Sequence, residues 1–175
     1  MTDMVAVANL APFRTFEEAT IFLEETVQRA GVRHLSYWSL QYVDGAPNHV
    51  VWVSTYDPGY MSLYMKKFTP LGDEVIGRVV DDHAVIDWVE WLDVSQDIYA
   101  EAVNYGITKY GISLPIDSGG MDKVVFSVNI DCEDTNWNEQ RGLLVKRFRG
   151  FAKEFNARMQ VLVKTQELGA SIYLL

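Results

Sequence analysis

The feature that most constrains this chain lies near its C-terminal end. Leu144, Phe148, Phe151, Phe155, Met159 and Leu162 recur at three- and four-residue spacing. That rhythm predicts a helix over about residues 135–164 with one apolar stripe along its length. Such a stripe is stable only when packed against another layer. The strand-like segments upstream supply that layer. Residues 35–43 are rich in aromatic side chains, and residues 48–55 carry Val50, Val51, Trp52 and Val53. Asp44, Gly45, Ala46 and Pro47 join them as a turn, which predicts a hairpin. A second antiparallel pair is predicted at 111–116 and 123–130. Its turn runs from Asp117 to Asp122, with Gly119 and Gly120 able to take the positive φ such turns use.

Helices fall before, between and after the hairpins. The first is predicted over 15–30. Thr15 and Glu18 have capping-box spacing, Phe16, Ala19, Leu23, Val27 and Ala30 share a face, and Gly31 suits the C-terminal stop. Shorter helices are predicted at about 59–68, 74–80 and 95–105, with a loop holding 84–88. The order describes an α+β layered domain, an antiparallel sheet covered on both sides.

Composition narrows the function classes. Hydrophobic residues make up 49% of the 175 positions, enough for a real core. The longest apolar runs are a few residues, far below the ~18–20 of a membrane span. No basic n-region followed by a long apolar stretch opens the chain, so a secretory signal is not expected. The single cysteine, Cys132, cannot form an internal disulfide, which fits a reducing cytoplasm. Fifteen Lys and Arg stand against 24 Asp and Glu, a net charge of -9. Lys146, Arg147 and Arg149 are the densest basic group and make no basic stripe, so the composition is not that of a DNA-binding surface.

Catalytic patterns are missing from the sequence. His34, His49 and His83 are scattered without metal-ligand spacing, and no H-E-x-x-H, C-x-x-C, Walker loop or G-x-S-x-G occurs. Asp81, Asp82, His83 and Asp87 read as a solvated loop, and Cys132 as a small edge residue. The unusual stretch is 56–88. Tyr56, Tyr60 and Tyr64 fall at i, i+4 and i+8, along one helix face if the helix starts near Pro58. A core stripe and a small-molecule pocket both accommodate that pattern. Each buried tyrosine hydroxyl needs a partner, whereas a pocket uses aromatic walls with polar tips.

The ordered set Tyr56, Tyr60, Tyr64, Asp73, Trp88, then Tyr105-Gly106-Ile107 and Tyr110-Gly111-Ile112-Ser113-Leu114-Pro115-Ile116, resembles the autoinducer-binding domain of LuxR-type quorum-sensing regulators. The resemblance runs from the first helix to the last. It implies an α/β/α sandwich with a five-stranded antiparallel sheet, an N-acyl-homoserine lactone as ligand, no cofactor and no catalysis. By the same resemblance, Asp73 accepts a hydrogen bond from the ligand amide. Tyr56 donates to the amide carbonyl, with Ser127 as a second donor. Tyr60 takes the place of a tryptophan that donates to the lactone carbonyl, Trp88 packs on the lactone ring, Tyr64 lines the wall by the acyl chain, and Ser113 adds a polar contact. Asp73 also has the place of a helix N-cap, and the two roles are compatible. Glu74 stands where the family commonly has proline. Tyr60 in place of tryptophan points to a rival expectation, a receptor for a non-lactone signal.

The resemblance further implies an autoinducer-binding domain over 1–164 and the start of an interdomain linker at 165–175. It implies a homodimer, and DNA contact only through a C-terminal helix-turn-helix domain that does not follow in this sequence. Other expectations are a stand-alone dimerisation partner and, in a different class, an enzyme acting on the same lactones.

Overall fold

The computed structural model describes residues 11–43, 46–93, 95–120 and 122–166, without the side chains of 43 and 46–48. The first helix, α1 (Phe16–Ala30), starts at Thr15, whose hydroxyl accepts from the Glu18 amide at 3.0 Å. The capping box is half made: Glu18 reaches back to the amide of Arg14 at 2.7 Å rather than to that of Thr15. Gly31 ends the helix in the left-handed conformation (φ 64°) and bonds Val27.

Strands β1 (His34–Val43) and β2 (Ala46–Ser54) pair antiparallel, and the tip of their expected turn, 44–45, lies outside the described residues. Then come α2 (Pro58–Lys67), α3 (Glu74–Asp82) and β3 (Ile86–Asp87), with a 3-10 turn over Trp88–Trp91. Helix α4 (Gln96–Val103) precedes β4 (Gly111–Ile116) and β5 (Lys123–Asn129). In the turn between these strands Gly119 has positive φ and Gly120 does not. A second 3-10 turn, Asp134–Asn136, leads into α5 (Trp137–Gln166). Helix α5 reaches two residues into the segment expected to begin a linker, and 167–175 lie outside the described residues.

The five strands form one antiparallel sheet in the order β2-β1-β5-β4-β3. Alternation along each strand sends one set of side chains to each face. Leu35, Tyr37, Val53, Phe126 and Val128 join Leu23 of α1 and the Leu144–Leu162 stripe of α5 in one apolar layer. Trp38, Leu40, Val50 and Val125 face the other way, toward Tyr60, Met61 and Tyr64 of α2, Ile76 and Val79 of α3 and Ala102 of α4. The expected α+β sandwich with a five-stranded sheet is therefore present. The fifth strand corrects the reading of 84–88 as a loop. Two residues are too few for a periodic signal, and they become a strand by pairing with Ile112 and Ser113.

Candidate functional site

The cavity sits between the sheet and the α2–α4 layer. Asp57 caps α2 by accepting from the Gly59 amide at 2.7 Å, with Pro58 in the first turn. Tyr56 therefore precedes the helix instead of lying on it, which corrects the single-face expectation. The aromatic row continues all the same: ring centroids are 5.7 Å apart for Tyr56–Tyr60 and 6.0 Å for Tyr60–Tyr64. Asp73 caps α3. Its Oδ1 accepts from the amides of Val75 (2.9 Å) and Ile76 (3.4 Å), and its Oδ2 accepts from the Tyr64 hydroxyl at 2.8 Å. Tyr64 thus holds the carboxylate as well as forming wall.

Trp88 is placed from two sides. Asp87 is buried and fixed to α5, taking the Trp137 indole N–H at 3.0 Å and the Arg141 guanidinium at 2.7 Å. This corrects the view of Asp87 as part of a solvated loop. Trp88 then lies flat against β4 at Gly111, where a Cβ would sit 2.3 Å from its ring. Its indole N–H donates to the Ser113 hydroxyl at 2.9 Å, and Ser113 bonds Ser127 at 2.8 Å.

Tyr56, Tyr60, Tyr64, Asp73, Trp88, Ser113 and Ser127 all line this one cavity, whose volume is about 90 Å³. Sequence reasoning missed four further hydroxyl-bearing residues of the lining, Tyr99, Thr108 and two serines. Ser36 lines the floor and accepts from the Trp38 indole at 3.2 Å. Ser95, just before α4, lines the cavity with a buried hydroxyl that has no partner among the described residues. Neither stands out in the chain; for Ser36 the signal is its register opposite Ser127.

Burial pushes the hydroxyls of Tyr56, Tyr60 and Tyr64 well above the usual phenol range, so all three stay protonated donors. The Tyr60 hydroxyl has no hydrogen-bond partner among the described residues. Burial also pushes the Asp73 carboxyl up, opposed by the Tyr64 hydroxyl and then the Ile76 and Val75 amides. The site thus offers a carboxylate acceptor, phenol and serine donors, and an indole wall. No cluster of three or more metal-ligating side chains occurs among the described residues.

A sheet sandwiched by helices, with hydrogen-bonding groups converging on a cavity inside one layer, is the build of a small-molecule sensor. The chain belongs to the autoinducer binding domain family, whose profile matches residues 15–159. That family, the sensing domain of LuxR-type quorum-sensing regulators, is one of ligand-binding regulators and not of enzymes. The fold is similar to that of Escherichia coli SdiA, at TM-score 0.68 and 15% identity over 91% of this chain and 66% of SdiA. It is also similar to CepR2 of Burkholderia cenocepacia, an N-acylhomoserine-lactone-dependent LuxR family transcription factor. That match has TM-score 0.61 and 17% identity over 88% of each chain. SdiA in complex with octanoyl-rac-glycerol matches at TM-score 0.56 and 17% identity, over 77% of this chain and 58% of that one. The chain thus spans less than two thirds of both SdiA chains. No curated protein matches the sequence.

Proposed function

We propose that this domain binds an N-acyl-homoserine lactone in the Asp73 cavity and passes its occupancy to a LuxR-type regulator. The observation that carries this reading is the complementarity of the cavity's polar groups to an acylated amide head. The ligand N–H meets the one carboxylate, Asp73, whose Oδ2 keeps acceptor capacity beyond Tyr64. The amide carbonyl meets Tyr56 and Ser127. Ser113 accepts from Trp88 and shares a hydrogen bond with Ser127 in which either hydroxyl can donate; with Ser113 as that donor, the Ser127 proton goes to the ligand. Tyr60, a donor without a protein partner, takes the lactone carbonyl, and Trp88 covers the ring. The sensing domain spans about 1–164. It acts in the cytoplasm as a homodimer, and DNA contact falls to a helix-turn-helix domain; among the described residues no helix is long and apolar enough to cross a membrane.

Titration of the purified chain with N-octanoyl homoserine lactone, followed by calorimetry, tests the proposal. Saturable binding that weakens about ten- to a hundredfold in Asp73→Ala supports it. A second reading, a non-lactone acyl signal, is favoured by Tyr60 in the lactone-carbonyl position. Tighter binding of 1-octanoyl glycerol than of the lactone would put that reading first.

A further inference from the structure

The Asp73 cavity is small for its proposed occupant. Its volume of about 90 Å³ is that of about three waters, against the ~300–1,000 Å³ of sites that enclose drug-sized ligands. One wall therefore has to yield, and the walls are not equally anchored. In the sheet, β1, β5 and β4 are each hydrogen-bonded along both edges. Helix α2 is held by buried Tyr60, Met61 and Tyr64, and α3 by buried Ile76 and Val79. Helix α4 buries only Ala102. Its Ile98 and Tyr99 line the cavity while half-buried, and Val103 is 48% exposed. An alanine methyl is the smallest apolar group a side chain can bury, and elements with so little buried apolar surface open locally at the least cost. Ser95 stands at the N-cap of α4 and makes no capping bond, so that end is loosely held as well.

What holds α4 down is polar and lies at its C-terminal end. Arg33, between α1 and β1, donates through Nε to the carbonyl of Gly106 at 2.6 Å and pairs with Asp131 just beyond β5. The Arg33 amide donates to the carbonyl of Asn129 at 2.8 Å, so this residue is planted on the fixed end of the sheet. Gly106 takes φ 76°, and a Cβ there would sit 3.1 Å from Arg33 Nη2, so glycine suits both the turn and the clasp. Lys67 of α2 adds a second tie, an ion pair with Glu101 of α4 at 2.8 Å. Tyr105, the neighbour of the clasped glycine, packs on Tyr60 of the cavity wall with ring centroids 5.6 Å apart.

We infer that α4 is the moving wall of the Asp73 cavity, and that Arg33, through Gly106, is the latch that sets how fast a ligand enters and leaves. Arg33 is a positioning residue and does not line the cavity. Its clasp is the same bond whether the cavity is filled or empty, so it carries no differential free energy between the two states. Loosening the latch then accelerates entry and exit together and leaves affinity where it was. The kinetic part of this inference rests on the proposed lactone-binding function; the latch itself is read without a ligand.

The test joins native-state hydrogen exchange of the ligand-free chain to stopped-flow binding of N-octanoyl homoserine lactone, on wild type, Arg33→Ala and Lys67→Ala. The amides of Tyr105, Gly106 and Ile107 bond back to carbonyls of α4 and report its opening. In wild type they should exchange faster than the amides of β5. Arg33→Ala should speed them about threefold to tenfold more than it speeds those of β5, the range of one charge-assisted bond from a side chain that is 41% exposed. Lys67→Ala removes only a surface pair, so it folds in any case, and should speed them about twofold to fivefold. Lactone association and dissociation should rise by the same factor in each variant, with Kd within about twofold of wild type. Amides of α4 that exchange only together with β5, or that respond to neither variant, overturn the moving wall. An unchanged association rate with faster dissociation makes Arg33 ordinary support for the bound state and overturns the latch. If the lactone binds no form of the chain while Arg33→Ala still loosens the end of α4, the lactone-binding reading falls and the latched wall stands.

Discussion

Asp73 carries two duties on one carboxylate, and substitutions separate them. Oδ1 caps α3 while Oδ2 holds Tyr64 and faces the cavity. Asp73→Ala loses the cap, about 1 kcal/mol of stability, together with the proposed ligand acceptor. Asp73→Asn keeps a capping oxygen and loses the charge. Because burial raises the folded carboxyl's pKa, the folded state holds that proton more tightly than the unfolded chain does. The group's contribution to stability is greatest below the unfolded pKa of ~3.9 and declines as pH rises through the folded value. Urea unfolding across pH 3.5–7 should therefore show Asp73→Asn gaining on wild type as pH rises, and a constant difference would refute the assignment. Tyr60 offers a cleaner separation. Its hydroxyl has no partner to lose, so Tyr60→Phe should melt at the wild-type temperature yet bind the lactone about three- to tenfold more weakly. A lower melting point with unchanged affinity would make the hydroxyl structural. Tyr60→Trp should bind the lactone at least as well as wild type.

At the level of elements, the site depends on short connections more than on long ones. The segment β3 and its 3-10 turn span only Ile86–Trp91, yet they fix Trp88 between α5 and β4. Asp87→Ala deletes the acceptor for Trp137 and Arg141, both charge-assisted bonds. It should cost about 2–3 kcal/mol in chemical denaturation, well above the ±0.5 of an ordinary surface change. Gly111→Ala acts from the other side. Its Cβ would need the space of the Trp88 ring, so the indole must leave the wall. Lactone affinity should fall together with about 1–3 kcal/mol of stability, and the indole fluorescence should shift to the red as Trp88 meets water. An unshifted spectrum would show that Trp88 is not held by β4. These elements also mark where the sequence was legible. The helix stripe, both hairpins and seven of the residues that line the cavity announced themselves through periodicity or through the resemblance. Two-residue β3, the Asp87 anchor and the floor serine Ser36 did not, because their meaning lies in pairings made across 25 to 91 residues of chain.

For the whole molecule, the two faces of the sheet have different tasks. The α1 and α5 side is filled by packed aromatic rings, such as Phe22, Phe151 and Phe155 with centroids 5.9–6.3 Å apart. Shortening Phe155, which is 1% exposed, would cost about 3–5 kcal/mol. The α2–α4 side contains the cavity, so its packing can be completed by a ligand, and stability becomes a readout of binding. A ligand that binds only the folded state adds RT ln(1 + [L]/Kd), roughly 2.7 kcal/mol at a hundredfold excess over Kd. In a domain of this size each kcal/mol moves Tm by about 2–4 °C, so a rise on the order of 5–10 °C is expected. Each further methylene buried adds ~0.8 kcal/mol to the binding energy until the available apolar wall is covered. At one fixed ligand concentration, the shift should therefore climb with tail length and then level off. A thermal-shift series from butanoyl to dodecanoyl homoserine lactone reads this directly. Shifts that are small and independent of tail length at saturation would mean that no chain-binding surface exists, and a domain used only for dimerisation would then be the better account.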